Sequence, residues 1–292
     1  IDSLIPEYGG NIQNIQAVRE KVAINLSDVR DPYSINQLVK GQDYLFNLAG
    51  QTSHLDSMID PFTDLDINAK AQLSILEACR KNNRDIRIVF ASTRQIYGKP
   101  QYLPVDEKHP LSPVDVNGIN KIAGEQYHLL YNQVHEIRSS VLRLTNTYGP
   151  RMRIKDARQT FLGIWIRNLI EKKTIQVFGD GKQRRDYNYV DDVVDALIIA
   201  AVRNESAGQV YNLGAPRPIS LQETAQIMCE GHKGANYELV PFPEERKAID
   251  VGDFISDYSI FQSSFGWNPK VSFSEGIKTS FDYFRKELQH YT

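Results

Sequence analysis

The chain has 292 residues, enough for one large or two smaller domains, and its 34 basic and 36 acidic side chains leave a formal net charge of -2. This balance gives no sign of the basic patch that a nucleic-acid partner requires, and no run of about eighteen apolar residues predicts a membrane span. The two cysteines, Cys79 and Cys229, stand in helix-like segments, which argues against a disulfide framework and favours a reducing cytoplasm. We predict no metal site.

Short apolar runs alternate with helical patterns over the first half of the chain. The predicted buried strands are "KVAINL" (21–26), "YLFNLAG" (44–50), "IRIVFAS" (86–92) and "SSVLRLTN" (139–146). The predicted helices, with apolar residues at i, i+3 and i+4, are "SINQLVKG" (34–41), "FTDLDINAKAQLSILEACRKN" (62–82) and "NKIAGEQYHLLYNQVHE" (120–136). This alternation predicts the α/β class with a doubly wound parallel sheet, covered on both faces.

The pattern becomes irregular after Pro150. A strand is predicted at "QVYNLG" (209–214), and helices are predicted at 160–173 and near 191–203, 220–231 and 273–289. No internal repeat and no low-complexity linker separates the two halves. We therefore expect two parts that interleave rather than two domains on a flexible tether.

Polar segments follow the four predicted strands of the first half. They are "LSDVRD" (26–31), "AGQTSHLDS" (49–57), "ASTRQIYG" (91–98) and "TNTYGP" (145–150). A single glycine in such a segment can serve only to make a tight turn, but four polar endings in register are harder to explain that way. In open parallel sheets, ligands bind beyond the carboxyl ends of the strands. We expect the functional site there.

The order of these motifs, continued by "NxxxK" (117–121), "RLTNTYGP" (143–150) and "VFGDGKQRRDYNYVDDV" (177–193), resembles the extended short-chain dehydrogenase/reductase superfamily. Within it, the chain resembles the NAD-dependent nucleotide-sugar epimerase/dehydratase family, including enzymes similar to UDP-glucose 4-epimerase. The stretch that begins "AGQTSHLDSMIDPF" is similar to CDP-paratose 2-epimerases. The resemblance implies a Rossmann fold with a smaller C-terminal α/β part for the substrate.

The resemblance implies NAD as the cofactor. Its acidic residue for the adenosine ribose matches Asp2, which favours NAD over NADP. The remaining positions that match cofactor contacts are Asp28, Val29, Leu48, Ala49, Gly50, Asn68 and Lys121. Taken alone, these residues also suit turns and helix packing, so their cofactor role depends on the resemblance.

The resemblance also implies an opening strand, a glycine-rich G-x-x-G-x-x-G turn and a helix, together about 30 residues. We expect this unit to precede Ile1 in the full-length protein. Residues 1–150 would then form an N-terminally incomplete NAD-binding domain, and 151–292 mainly a substrate-binding domain. Residues from about 174 to 212 would return in part to the first domain.

The catalytic position of the family is changed in this chain. Thr93 matches the Ser/Thr that hydrogen-bonds the reacting oxygen, and Lys121 matches the lysine that lowers the pKa of a catalytic tyrosine. The tyrosine position itself is Asn117. An amide donates and accepts hydrogen bonds but is no base near neutral pH.

Three hypotheses account for this replacement. In the first, another group is the base, with Tyr97, His54 and Asp115 as candidates, and histidine has the most suitable ordinary pKa. In the second, Lys121 acts directly because burial lowers its pKa. In the third, the chain only binds its ligand, as a regulatory or otherwise non-catalytic protein. Because Thr93 and Lys121 are kept together, we favour an enzyme.

The residues after Thr93 restrict the reaction. In 4,6-dehydratases of this family that threonine is followed by Asp-Glu, the acid and base of water elimination. Arg94 and Gln95 stand here and cannot form that pair. Epimerisation through a keto intermediate, or reduction of a nucleotide keto-sugar, remains open.

The resemblance also implies contacts to a nucleotide-diphosphate sugar. Asn146 and Arg185 match diphosphate contacts, and the guanidinium fork of arginine suits phosphate oxygens. Lys247, or its neighbour Arg246, matches a second basic contact. His54 and Ser57 stand where sugar hydroxyl contacts occur.

Two predicted helices, 62–80 and 117–134, match those that pair into an intersubunit four-helix bundle. We therefore expect a homodimer. The alternative is that the apolar stripes of these helices face only the sheet.

Overall fold

The structure is a computed structural model that describes residues 1–157, 160–230, 232, 234–247 and 249–292, without the side chains of residues 245 and 246. The chain forms two compact units. Unit 1 contains residues 1–96, 115–144 and 195–211, and unit 2 contains 97–114, 145–194 and 212–292.

Unit 1 is built on a four-stranded sheet. In the order in which they lie side by side, its strands are β1 (Tyr44–Asn47), β2 (Arg87–Thr93), β3 (Ser139–Leu144) and β8 (Val210–Asn212). The pairs β1–β2 and β2–β3 are parallel. Successive residues of β2 are buried on both faces, as a covered parallel sheet requires. The prediction of an α/β fold with a parallel sheet is confirmed.

Apart from α2 (His54–Ile59), which was not predicted, the helices of this unit follow the predicted amphipathic segments. They are α1 (Pro32–Leu38), α3 (Pro61–Leu65), α4 (Ala71–Asn82) and α5 (Val116–His135), with α7 (Val190–Val202) continuing into unit 1 from unit 2. A π-helical turn, Asp66–Lys70, connects α3 to α4. The apolar cluster that α1 and α4 share with the sheet includes Ile35, Val39, Ile75, Leu76, Ile86, Ile88 and Ile137.

One predicted strand is wrong. A 3-10 helix covers Ile12–Lys21, and the rest of "KVAINL" is extended without forming a ladder. The carbonyl of Asn25 accepts a loop hydrogen bond from the Asp2 N–H (3.1 Å), and Val22 and Leu26 are exposed. A β-rich run becomes a strand only where a neighbouring strand satisfies its backbone groups.

In the part of unit 2 that the structure describes, there are three small sheets. They pair β4 (Asn146–Tyr148) with β7 (Tyr187–Tyr189), β5 (Ile175–Phe178) with β10 (Tyr237–Val240), and β6 (Arg184–Arg185) with β9 (Ile219–Ser220). The first two pairs are parallel and the third is antiparallel. The helices are α6 (Phe161–Ile170), α8 (Leu221–Glu230), α9 (Glu244–Lys247), α10 (Ser259–Phe265) and α11 (Phe273–Glu287).

The core of unit 2 is rich in aromatic side chains. Tyr148 and Phe284 are almost completely buried, and Trp165 packs in the same cluster. Helix α11 begins with a capping box, in which Ser272 and Glu275 satisfy each other's backbone N–H groups.

Short 3-10 turns occur in both units and cover Pro6–Tyr8, Arg94–Tyr97, Asn204–Ser206 and Leu288–His290. Within the described residues, no helix is long and apolar enough to cross a membrane.

Candidate active site

The parallel strands β1 and β2 bring two polar segments to the same edge of the sheet. Residues 48–53 follow β1, and residues 94–97 follow β2. Helix α5 packs against β2, and its first turns carry Asn117 and Lys121. The predicted site in unit 1 therefore has a structural basis: adjacent parallel strands end side by side.

Lys121 is buried at this edge. Its Nζ donates a hydrogen bond to the carbonyl of Ala91 (3.1 Å) and lies 5.0 Å from the centroid of the Phe90 ring. Burial lowers the pKa of Lys121 to about 8, against the opposing effect of Asp64 and Glu125. A lysine with this pKa changes protonation state close to neutral pH.

A small polar cradle lies beside Lys121. A Cβ atom on Gly50 would lie 2.9 Å from Asn68 Oδ1 and 3.0 Å from Lys121 Nζ, so a side chain at this position would displace these two groups. Asn68 donates to the Gln51 carbonyl (3.0 Å), whereas its buried Oδ1 has no hydrogen-bond partner in the described part of the chain. A buried acceptor beside an ammonium group and an open glycine suits a ligand with hydroxyl groups.

The amide of Asn117 points into the protein. Asn117 is 2% exposed, and its Nδ2 donates to the Gln51 carbonyl (2.7 Å) and to Asp64 Oδ2 (3.0 Å). Its backbone N–H donates to Ser57 Oγ (3.3 Å). Because both amide hydrogens are engaged, the side chain acts as a clamp between α5, α3 and the segment after β1.

Asp64 is the acceptor at the centre of this clamp, and sequence reasoning missed it. The carboxylate is completely buried, and its second oxygen accepts from Asn120 Nδ2 (2.8 Å). Asn117 and Asn120 stand one turn apart on α5, so both amides reach the same carboxylate. That i, i+3 pair of asparagines was the available signal for a buried acceptor.

His54 and Asp115 lie side by side next to the clamp. His54 Nδ1 lies 3.0 Å from Asp115 Oδ2, although its N–H does not point straight at the oxygen. Asp115 is the N-cap of α5 and accepts from the Gly118 N–H (2.7 Å) and from Gln95 Nε2 (3.1 Å). Burial opposes ionisation of Asp115, but His54 and these donors hold its pKa below the ordinary value.

Gln95 connects this pair to Thr93. The Gln95 N–H donates to Thr93 Oγ1 (3.2 Å), while its side chain donates to Asp115. Thr93, Asp115 and His54 therefore belong to one hydrogen-bonded and charged network in unit 1.

A second buried ion pair supports α5. Glu125 is completely buried and receives two hydrogen bonds from Arg143 of β3, Nε to Oε1 (3.0 Å) and Nη2 to Oε2 (2.8 Å). Bidentate geometry of this kind fixes orientation as well as contributing energy. It anchors the helix that carries Lys121 to the sheet, and sequence reasoning missed it as well.

The other candidate base, Tyr97, belongs to unit 2. Its side chain is completely buried, and its hydroxyl donates to Asn212 Oδ1 (2.7 Å). The following Gly98 has a φ of +63°, and a Cβ atom there would collide with the Ser112 carbonyl. This turn therefore requires glycine and encloses the tyrosine.

The cofactor residues predicted near the N-terminus are held by local contacts. Asp2 Oδ1 accepts from the Leu4 N–H (2.7 Å), and Asp28 forms an ion pair with Arg30 (2.7 Å). The side-chain hydrogen bond from Arg30 lowers the pKa of Asp28. Val29, Ala49 and Gly50 are half-buried, and Leu48 is exposed.

The predicted substrate contacts Asn146, Arg185 and Lys247 lie in unit 2. Asn146 Nδ2 donates to the Asp186 carbonyl (2.9 Å). Arg185 is buried and donates to the carbonyls of Arg184 (3.0 Å) and Gly252. The side chain of Arg246, the alternative to Lys247, lies outside the described residues.

A cavity of about 380 Å³ in unit 2 adjoins these groups. Its lining includes Lys99, Leu103, Lys247, Asp250, Val251 and Gly252. Arg185 contacts this wall, because its Nη2 lies 3.7 Å from Asp250 Oδ1. Two lysines, two aspartates and apolar side chains thus surround a space of the size that small ligands occupy.

Comparisons with known proteins agree with this arrangement. The sequence profile of the NAD dependent epimerase/dehydratase family matches residues 8–214. A putative UDP-glucose 4-epimerase of Methanocaldococcus jannaschii is 33% identical over 92% of this chain and 85% of that protein.

Two solved structures have the same fold. UDP-glucose 4-epimerase of Thermotoga maritima, solved with UDP-glucose, is 29% identical with a TM-score of 0.86, covering 96% of this chain and 88% of that one. UDP-glucose 4-epimerase of Thermus thermophilus, solved with NAD, is 27% identical with a TM-score of 0.83, covering 94% and 88%. The predicted family and the NAD dependence that characterises it are confirmed.

Proposed function

Because the chain belongs to the NAD dependent epimerase/dehydratase family, we propose that it epimerises a nucleotide-diphosphate sugar through a transient keto-sugar. The observation that carries this proposal is the buried Lys121, which lies beside Gly50 and the unpartnered Asn68 oxygen. Buried side chains with a perturbed pKa, such as Lys121 with a pKa of about 8, cluster at functional sites.

In this proposal, unit 1 holds NAD. Lys121 Nζ can donate a hydrogen bond to a ribose hydroxyl, and Asn68 Oδ1 can accept one. Gly50 has no side chain and leaves room for the cofactor beside them. Bound NAD supplies a reversible acceptor for the hydride of one sugar carbon. Thr93 orients the reacting hydroxyl, and a base on the protein takes its proton.

The substrate contacts that we propose lie in unit 2. Lys99 and Lys247 in the cavity wall could each bind a phosphate oxygen, although Asp250 and Asp253 line the same space, and we propose Asn146 and Arg185 as further contacts. Arg185 donates to protein carbonyls, so its binding of phosphate would require an exchange of hydrogen bonds. In unit 1, we propose His54 as a contact to sugar hydroxyls. Ser57 is completely buried and its hydroxyl is bonded to the Asn117 N–H and the His54 carbonyl, so a sugar contact there would require an exchange of hydrogen bonds.

The residues that follow Thr93 favour epimerisation over dehydration. The amide of Gln95 already donates to Asp115 and has no acid–base capacity near neutral pH. Among the relatives are dTDP-glucose 4,6-dehydratases, such as that of Streptomyces griseus at 28% identity. Dehydration would require an acid and a base at positions 94 and 95, where Arg94 and Gln95 stand.

The proposed function is tested with the full-length protein, NAD and a panel of nucleotide sugars, followed by NMR. We expect one substrate to be converted to its epimer until equilibrium is reached, without net consumption of NAD. In a parallel reaction with NADH and a nucleotide keto-sugar, conversion of the ketone to an alcohol with net oxidation of NADH would indicate a keto-sugar reductase instead. No turnover on the panel, with ligand-induced thermal stabilisation intact, would indicate a non-catalytic binding protein.

We also propose that the protein is a homodimer formed by the helices of unit 1. Several large apolar side chains on these helices are exposed: Met58, Ile59, Phe62, Leu65, Ile119, Leu130 and Val134. Ile119, Leu130 and Val134 lie on α5 at intervals of 11 and 4 residues, which places them on one face of the helix. An uncovered stripe of this kind, rimmed by polar residues, indicates a protein interface.

Replacing Ile59 and Phe62 with aspartate should therefore separate the subunits. These side chains are 81% and 78% exposed, so the substitutions cost a folded monomer little but place charge in a packed interface. Light scattering after gel filtration should give twice the chain mass for the wild type and the chain mass for the double variant. Tyr33→Asp, at an exposed residue of α1, should leave the dimer intact. A monomeric wild type would refute the proposal.

A further inference from the structure

We propose that His54, oriented by Asp115, is the general base that takes the sugar hydroxyl proton in this chain. The inference depends on the proposed epimerase function and assigns the proton chemistry that Asn117 cannot perform. His54 is the first residue of α2, and 34% of its side chain is exposed, so the imidazole is open to a ligand. Among common side chains, histidine accepts and returns protons most readily near neutral pH.

The pairing with Asp115 is the first argument. Nδ1 lies 3.0 Å from a carboxylate that is itself buried and held by Gly118 and Gln95. A fixed carboxylate at Nδ1 favours the tautomer with its proton on that atom, which leaves Nε2 as the acceptor. It also stabilises the imidazolium that forms after proton transfer.

The position of the pair is the second argument. Gln95 joins Asp115 to Thr93, the hydroxyl proposed to orient the reacting oxygen. Asp115 also stands two residues before Asn117 on the same helix start. The pair thus belongs to the same end of α5 as the replaced tyrosine position.

The contacts of Asn117 give the third argument. Its side chain holds the Gln51 carbonyl, and its backbone N–H holds Ser57 Oγ, which in turn donates to the His54 carbonyl (2.7 Å). Residues 51–57 are therefore tied to α5 on both sides of His54. The asparagine that replaces the tyrosine fixes the segment that carries the histidine, which is a positioning role.

The alternative bases are less suited by their contacts. The Tyr97 hydroxyl is enclosed and donates to Asn212, and the Asn117 amide has both hydrogens engaged. Lys121 donates to Ala91 and lies over Phe90, a setting for holding a ribose. Its direct action as the base is the remaining rival, and the test separates the two.

The proposed step is balanced. The proton of the sugar hydroxyl passes to His54 Nε2 while the carbon-bound hydrogen leaves as hydride to NAD, giving a keto-sugar and an imidazolium. Reversal on the opposite face of the sugar returns both hydrogens and regenerates the neutral ring. No further oxidant or reductant is needed.

The charged groups around His54 come from three elements. Asp115 and Lys121 lie on α5, Asp64 lies on α3, and Asp56 follows His54 on α2. Of these, Asp115 has a direct contact with the imidazole. A change at Asp115 should therefore affect the imidazole most directly.

The first test compares wild type and His54→Ala on a nucleotide sugar that the wild type epimerises. We expect kcat to fall by about 10²–10⁴-fold, with KM and NAD affinity retained, and added imidazole to restore part of the rate. His290→Ala, at an exposed histidine of the last 3-10 turn, should leave kcat unchanged. A His54→Ala variant that keeps a third or more of the wild-type kcat overturns the proposal.

The second test uses Asp115→Asn, because asparagine preserves the helix cap. Loss of the carboxylate removes the group that orients the imidazole and stabilises the imidazolium, so kcat should fall and the acid limb of kcat/KM should move. If the acid limb of the kcat/KM profile lies near pH 8 and does not move in Asp115→Asn, the base is Lys121. That result would overturn the role of His54. A wild type without turnover on any nucleotide sugar counts against the epimerase function itself, a different outcome from an active His54→Ala.

Discussion

Replacement of Lys121 with methionine is expected to lower turnover by about 10²–10⁴-fold. Methionine fills a similar volume but removes the ammonium group that lies beside Gly50 and Asn68. The proposed ribose contact and the positive charge near the reacting oxygen are then both lost. The measurement is the initial rate of epimer formation at saturating NAD, with Lys278→Met, at an exposed lysine of α11, as the matched control.

The same substitution has a second, independent readout in stability. The pKa of Lys121 is about 8 in the folded protein and 10.5 in the unfolded reference, because burial disfavours the charged form. Between these values the unfolded chain binds more protons, so this lysine makes stability rise as pH increases from about 8 to 10.5. The wild-type free energy of unfolding minus that of Lys121→Met should therefore rise over this pH range. The same difference taken against Lys278→Met should stay flat, because that variant keeps Lys121. A flat difference against Lys121→Met would show that Lys121 is not buried as described.

Replacement of Asn117 with aspartate is expected to destabilise the protein by about 3–5 kcal/mol at neutral pH. The amide nitrogen lies 3.0 Å from Asp64 Oδ2, and both side chains are buried. A carboxylate there would face a second carboxylate without a hydrogen between them. Two like charges at this distance cannot both ionise at low cost, so the pKa of the pair must rise.

The sign of the pH effect follows from that raised pKa. The folded variant binds a proton more tightly than its unfolded chain, so the lost stability should return as pH falls toward 4. Chemical denaturation at several pH values measures this, with Asn204→Asp at an exposed turn expected to change the free energy by less than about 0.5 kcal/mol. An Asn117→Asp variant as stable as the wild type at pH 7 would mean that the Asp64 clamp does not exist.

The sheet of unit 1 was predictable because its signals are local. Strands β1, β2 and β3 are short apolar runs followed by polar residues, and the amphipathic helices between them have clear spacing. The run at 21–26 has the same composition but forms no ladder. Its failure is physical: strand formation depends on a partner strand, which composition does not report.

The candidate site was predictable in its residues but not in its contacts. The resemblance pointed to Thr93, Asn117 and Lys121. Asp64 was missed because it looked like one of the exposed polar residues of a predicted amphipathic helix, although it is buried. The π-helical turn that aims Asn68 at Gln51 has no sequence signature, because it depends on how α3 and α4 join. Buried polar networks form between distant segments, so spacing along one segment cannot reveal them.

The replacement of tyrosine by asparagine therefore has a consistent physical interpretation. The Asn117 amide satisfies a buried carboxylate and a backbone carbonyl, and it ties the segment of His54 to α5. Lys121 keeps its buried position on the same helix. A proton acceptor at His54 would complete the chemistry without the phenol.

The most direct test of the proposed epimerase is label retention during one turnover. The full-length protein with NAD is given its nucleotide sugar with deuterium at every ring carbon, in ordinary water. If the hydride is removed and returned within the site, the epimer should carry deuterium at the inverted carbon. An epimer with hydrogen from solvent at that carbon would contradict the proposed removal and return of hydride at the inverted carbon.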